Sequence, residues 1–201
     1  MKAILSPAKT LDFDQDPSWK ETTFPPLQDY AREVMAALKP YGKEQLQDLQ
    51  SISSSLAELN YQRNQNWSAD PAMADYAQPA LYAFKGDVYQ GLKVEEWEPA
   101  DRDYARDHLL ILSGLYGVLR PQDLIQAYRL EMGTSLPVGG AKHLYDFWAG
   151  PLHNYLEQVL DPEEWIVNLA SKEYFIAWEK AAPPNPVLEI QSKDQGANGK
   201  F

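Results

Sequence analysis

Cysteine is absent from the 201-residue chain, which excludes disulfides, thiolate catalysis and cysteine metal sites. Histidine is scarce: His108, His143 and His153 lie far apart and form neither an HxxxH nor an HExxH pair, so no metal and no bound cofactor is expected. No apolar run reaches the roughly 18 residues a membrane-spanning helix needs. The opening residues are too few and too soon broken by Pro7 for a secretory leader, so a cytoplasmic protein without membrane attachment is expected. Basic side chains are outnumbered 18 to 29, and the net charge of −11 weighs against whole-surface attraction to nucleic acid or anionic lipid. Any anion site has to be a local patch. Internal repeats and low-complexity stretches are also lacking, and the length suits one domain with a real core.

What is present reads as strands alternating with helices, the pattern of a mixed α/β domain with a partly parallel sheet. Residues 3–6 form a short apolar run ending in Ser-Pro, a buried strand entering the loop Ser6-Pro7-Ala8-Lys9-Thr10. Residues 12–26 carry Pro17, Pro25 and Pro26 and read as a surface excursion. Helices are predicted over 27–38, 43–50 and 53–67, the charged positions of the last read as a solvated outer face. Residues 80–84 look like a strand running into a Lys85-Gly86-Asp87 turn, which invites a Lys85 to Asp87 surface pair. Residues 142–160 form an amphipathic helix that Gly150-Pro151 should kink or restart, and 165–170 and 187–190 read as further strands. Asn198-Gly199 is a hairpin signal with almost no chain after it. The strand before it would have an open edge, so a chain truncated relative to its fold is expected.

Residues 112–134 stand out. Tyr104, Ala105, His108, Leu109, Ile111 and Leu112 fall close to one helical face, which predicts a helix over 101–112. Gly114 and Gly117 then permit a tight turn, Pro121 fits the first turn of a second helix, and Asp123 sits near its positive end. The expectation is a helix, a glycine hairpin and a second helix.

Five motifs carry a resemblance: residues 4–11, residues 84–89, residues 112–121, residues 128–133, and Asn168-Leu169-Ala170-Ser171 followed by Glu173-Tyr174-Phe175. In this order, over nearly the whole chain, they resemble the YaaA family, the peroxide stress proteins. The resemblance implies a compact mixed α/β domain over 1–201 of the cantaloupe type with a helix-hairpin-helix, double-stranded DNA binding, and a role in limiting iron-driven DNA damage. It also implies a further Lys- and Arg-rich C-terminal segment, and without that segment DNA binding is expected to be weakened.

Two functional readings follow. In the first, non-catalytic reading, Gly114, Tyr116 and Gly117 form a hairpin whose backbone N–H groups bind DNA phosphates beside Arg120, and Lys9, Lys85, Arg129 and Lys172 line a basic cleft. The spacing here is Gly-x-x-Gly where the usual hairpin has Gly-x-Gly. In the second, Ser6, Lys9, Lys85, Asp87, Arg129, Glu131, Asn168 and Ser171 meet at strand ends as the pocket of a small-molecule or nucleotide-processing enzyme. No triad, phosphate loop or other signature selects a reaction or a catalytic residue.

Overall fold

The computed structural model describes residues 1–14, 19, 21–70 and 77–190. In chain order the elements are β1 (Lys2–Leu5), β2 (Thr10–Leu11), α1 (Gln28–Leu38), α2 (Lys43–Gln50), α3 (Ser54–Asn66), β3 (Ala77–Pro79), α4 (Ala80–Ala83) and β4 (Phe84–Lys85). They continue with α5 (Asp87–Leu92), α6 (Pro99–His108), β5 (Leu109–Ser113), β6 (Gly117–Leu119), β7 (Leu124–Gln126), α7 (Leu144–Val159), β8 (Ile166–Asn168), α8 (Lys172–Ala181) and β9 (Val187–Glu189). The main sheet has the order β6-β5-β1-β8-β9. β1 lies at its centre, parallel to both β5 and β8, with Ile4 opposite Leu110 on one side and Asn168 on the other. β9 extends the sheet in parallel, and β6 folds back antiparallel on β5. Two small antiparallel pairs, β2 with β4 and β3 with β7, lie outside it. The mixed α/β class therefore holds, in one domain with helices around a mixed sheet.

The helices form because apolar side chains recur at helical spacing. Ala31, Val34, Met35 and Leu38 make the buried stripe of α1. Leu144, Trp148, Leu152 and Leu156 make that of α7, which packs on α8 and runs unbroken through Pro151. Ser53 caps α3 by accepting the Leu56 N–H at 3.3 Å, and Asp101 returns to the Glu98 N–H at 3.0 Å to start α6. No helix among the described residues is long and apolar enough to cross a membrane.

Residues 112–134 depart from the expected helix, hairpin and helix. α6 stops at His108 with Tyr104 exposed, and Leu109–Ser113 becomes strand β5. A four-residue apolar run bounded by a glycine turn satisfies a buried strand as well as a helix, and the open β1 edge decides for the strand. The segment after Pro121 is likewise strand β7, not a helix. Residues 80–84 go the other way and begin with a single helical turn, Ala80–Ala83, before two residues of strand. Residues 12–26 are not purely superficial, because Trp19 is buried and Thr23 bridges to Asp123. The 198–199 hairpin lies outside the described residues.

The turn from β5 to β6 is packed without slack. A Cβ at Gly114 would stand 2.3 Å from the Leu130 carbonyl oxygen. Gly117 holds φ +71° with the Trp148 ring 2.7 Å from where its Cβ would be. Trp148 Nε1 donates to the Gly114 carbonyl at 3.0 Å, and the buried Ser113 hydroxyl accepts the Tyr116 N–H at 3.0 Å while bonding Tyr128 OH at 2.7 Å. Tyr116 is fully buried, and its hydroxyl accepts from Trp67 Nε1 and from the Gln126 N–H. Arg120 is folded onto the fully buried Asp123 through its N–H, Nε and NH2, and Thr23 Oγ1 donates to the same carboxylate at 2.6 Å.

Gly114→Ala should therefore cost about 3 kcal/mol in urea unfolding, since the obstructing atom is backbone and cannot rotate away; a change below about 0.5 kcal/mol would show that the turn has room. A second expectation concerns alkali. Burial pushes the Tyr116 phenol up to about 12 and raises Tyr128 and Tyr89 as well. The fold prefers these phenols neutral, so their contribution is complete below the unfolded value of about 10 and is lost as pH rises through the folded value, by up to about 1.4 kcal/mol per pH unit per phenol. Absorbance at 295 nm should show the buried phenols ionising together with loss of the near-ultraviolet dichroism. Full ionisation near pH 10 with the dichroism intact would contradict this.

Candidate functional site

The carboxyl ends of β1 and β8 sit side by side, and their exit loops build one cleft. After Leu5 the chain leaves the sheet through residues 6–9 and pairs again as β2, where Thr10 stands opposite Lys85. After Asn168 the β8 loop turns into α8, with Ser171 as the residue before the helix. A cleft of about 590 Å³ opens between them, lined by residues 5–10, 85–89 and 169–171. It lies at the strand-end position where open α/β sheets place ligands.

Its floor is a hydrogen-bonded serine pair. The Ser171 N–H donates to Ser6 Oγ at 2.8 Å, and the Ser6 hydroxyl donates to Ser171 Oγ at 3.2 Å. Tyr89 OH fixes the same loop from below by donating to the Ser6 carbonyl at 2.8 Å. Because the Ser171 hydroxyl is engaged with Ser6 and does not cap α8, the first-turn N–H groups of that helix are left without a side-chain cap beside the cleft. Lys172 occupies the first helical position there and is exposed.

Cations and carboxylates alternate around the rim. Lys85 Nζ reaches Asp12 at 2.7 Å, not Asp87, and the hydrogen bond to that carboxylate holds its pKa above the usual lysine value. Lys9 Nζ lies 3.1 Å from Glu131 Oε1, and Arg129 NH2 approaches the same oxygen at 3.2 Å. This three-membered contact occupies a small recess that continues from the cleft past Lys9 to Tyr128 and Tyr174. Glu173 turns away to accept the Gly133 N–H at 3.0 Å.

The structure thus brings Ser6, Lys9, Lys85, Asp87 and Ser171 around one concavity, with Lys172 at its edge and Arg129 and Glu131 in the adjoining recess. Asn168 belongs to the loop itself, its Oδ1 accepting the Ala170 N–H at 3.0 Å. The glycine-hairpin set does not join them. Gly114, Tyr116 and Gly117 are enclosed in the core, and Arg120 is bound to Asp123 and, at 2.8 Å, to the Phe24 carbonyl. A phosphate cannot reach backbone N–H groups that are already buried against Trp148 and Leu130. Asp12 and Tyr89 are site residues that motif spacing does not single out; only the β2–β4 pairing puts Asp12 beside Lys85, and only the β1 exit loop puts Tyr89 beneath Ser6. Among the described residues no three His, Cys, Asp or Glu side chains are placed to hold a metal ion.

With this geometry in hand, likeness to known proteins is informative. The family model described as peroxide stress protein YaaA matches residues 1–201. The UPF0246 protein of Marinomonas sp. (strain MWYL1) is 43% identical over 201 residues, which is all of this chain and 76% of the relative. A UPF0246 protein of Flavobacterium johnsoniae is 44% identical over 194 residues, covering 96% of this chain and 77% of the relative. One of Legionella pneumophila (strain Corby) is 43% identical over 197 residues, with 97% and 77% covered. The chain belongs to the YaaA family of peroxide stress proteins.

Proposed function

We propose that the protein serves peroxide stress by holding the phosphate backbone of double-stranded DNA at the strand-end cleft, where it limits iron-driven damage to the strand it covers. The observation that carries this reading is that Lys9 and Lys85 line one cleft with the Ser6–Ser171 pair, at the uncapped start of α8 where Lys172 is the first helical residue. Ammonium groups, hydroxyls and backbone N–H groups at a helix start are the donors that phosphate oxygens take, and none of them reads a base. The glycine turn at 114–117 has no part in this, since its N–H groups face the core. With a net charge of −11 the encounter is local and rests on two or three phosphates.

A second reading is favoured by one observation. Lys9 and Arg129 share Glu131, Lys85 pairs with Asp12, and Asp87 also lines the cleft, so the site is not a uniformly basic track. A concave, charge-balanced cleft of about 590 Å³ also suits a small phosphate-bearing molecule, on which the enclosed hydroxyls and lysines would act as in a nucleotide-processing enzyme.

Fluorescence anisotropy with a duplex of arbitrary sequence separates the two. DNA binding should weaken with salt at a log–log slope of about −2 to −3. Lys85→Ala and Lys172→Ala should each weaken it alike for all sequences and reduce the slope by about 1, while Arg120→Ala should lower stability and leave DNA affinity unchanged. Unchanged affinity in the Lys85/Lys172 double variant, or binding insensitive to salt, would overturn the DNA reading. Displacement of the duplex by a nucleoside monophosphate at similar concentration would favour the small ligand.

A further inference from the structure

The C-terminal end of α2 borders a recess of about 290 Å³ whose lining contains no lysine, arginine or histidine. Residues 49–51 supply one part of it. The rest comes from two of the motifs singled out in the sequence, Glu131 and Gly133 from residues 128–133 and Glu173 from the first turn of α8, together with Thr134.

The lining is rich in acceptors that the fold does not use. A helix leaves its last carbonyls without intrahelical donors. At the end of α2 the Ser51 and Ile52 N–H groups return to Gln47 and Asp48, and no N–H among the described residues reaches the Leu49 or Gln50 carbonyl. The last turn of α2 carries no basic side chain to meet the negative end of the helix dipole. Each carboxylate has one oxygen engaged: Glu131 Oε1 meets Lys9 and Arg129, and Glu173 Oε1 accepts the Gly133 N–H at 3.0 Å. The second oxygen of each has no partner among the described residues. Both carboxylates act on one phenol, since burial first and then Glu173 and Glu131 raise the pKa of Tyr174. Thr134 gives an independent indication. It is only 8% exposed and lines the recess, yet its hydroxyl has no hydrogen-bond partner among the described residues. An enclosed hydroxyl left unbonded costs free energy, so the fold by itself gains nothing from a threonine there.

We propose that this recess, separate from the strand-end cleft, binds a small aliphatic amine as its ammonium ion, whose N–H groups donate to Glu173, Glu131 and the Thr134 hydroxyl. Leu49 offers an apolar wall to its methylene groups. An ammonium carries three donors and no acceptor, which matches a lining of carboxylates, helix-end carbonyls and one hydroxyl. A metal ion matches it less well. Hard cations take about six or more oxygens at about 2.0–2.6 Å, whereas two spare carboxylate oxygens and a hydroxyl line a space far larger than an ion, and no third acidic or histidine side chain among the described residues joins them. The fold already contains the proposed contact in its own chain: the Lys9 ammonium lies 3.1 Å from Glu131 in the neighbouring recess.

Titration with putrescine at constant ionic strength, followed through the Gly133 and Thr134 amide resonances in a ¹H–¹⁵N spectrum, tests this. The signals should shift saturably with putrescine and stay in place with its fully N-methylated counterpart, which has the same charge and no N–H donors. Glu173→Gln, which keeps an acceptor for the Gly133 N–H, should weaken binding about tenfold, and Thr134→Val about fivefold, while Lys85→Ala leaves it unchanged. Thr134→Val removes no bond of the fold, so its thermal midpoint should stay level or rise as its affinity falls, and it tests the site even where Glu173→Gln is unstable. A shift that never saturates, that the N-methylated compound reproduces, or that survives Thr134→Val at full affinity would overturn the proposal. So would the same shift produced by calcium chloride at lower concentration, which would make the recess a metal site.

Discussion

The arrangement depends on the absence of side chains at two positions. Leu130 can cross above the β5–β6 turn only because Gly114 places no Cβ beneath its carbonyl, and the Trp148 ring can lie flat against the turn only because Gly117 adopts a positive φ with nothing in the way. From this contact the rest follows. Trp148 anchors α7 through its bond to the Gly114 carbonyl, and α7 in turn packs on α8. The Leu130 crossing sets where Arg129 and Glu131 emerge, and so delivers both beside Lys9 on the β1 exit loop. The glycines hold no ligand, yet they determine where the groups that could hold one are found.

This explains which parts of the fold are legible in the sequence. The helices at 28–38, 43–50 and 54–66 are marked by apolar spacing and, for the first, by the stop at Pro40-Tyr41-Gly42. Strands β1, β8 and β9 are short apolar runs between turn residues. The polar set at the ends of β1 and β8 is legible for the same reason, because a loop that ends a buried strand is placed by the strand. Residues 109–113 are not legible locally. Their side chains continue the face begun by Tyr104 and Ala105, and only a parallel partner more than a hundred residues away in sequence, β1, turns the run into a strand. Two glycines spaced for a turn look the same whether their N–H groups face solvent or a tryptophan. The inward face of α3 is hidden for a related reason: general burial preferences put amides at the surface, and they fail here, where Asn60 and Asn64 are buried and Leu56 and Leu59 are exposed.

Charge placement follows a consistent scheme. In a protein of net charge −11, three of the cations near the cleft, Lys9, Lys85 and Arg129, are paired with carboxylates. Lys85 leans on Asp12, and Lys9 and Arg129 share one oxygen of Glu131. Lys9 and Lys85 are exposed while their carboxylate partners are more shielded, and contacts at exposed ammonium groups are weak and screened, so under the proposed reading an arriving phosphate would exchange one anion for another rather than break a strong bond.

Arg120 and Asp123 form the contrasting case. Burial raises the Asp123 carboxyl pKa while the Arg120 and Thr23 hydrogen bonds pull it down, and the carboxylate accepts from three separate groups at once. Removing Arg120 leaves a buried carboxylate half-solvated by protein, which is costly, whereas moving Lys9 from Glu131 to a ligand leaves a carboxylate that still has Arg129. Both arrangements are pairs of opposite charge at similar distance, but only one can be undone by a ligand. The difference lies in burial and in the number of remaining partners, and it separates the arginine that fastens the fold from the lysines that remain able to meet a ligand.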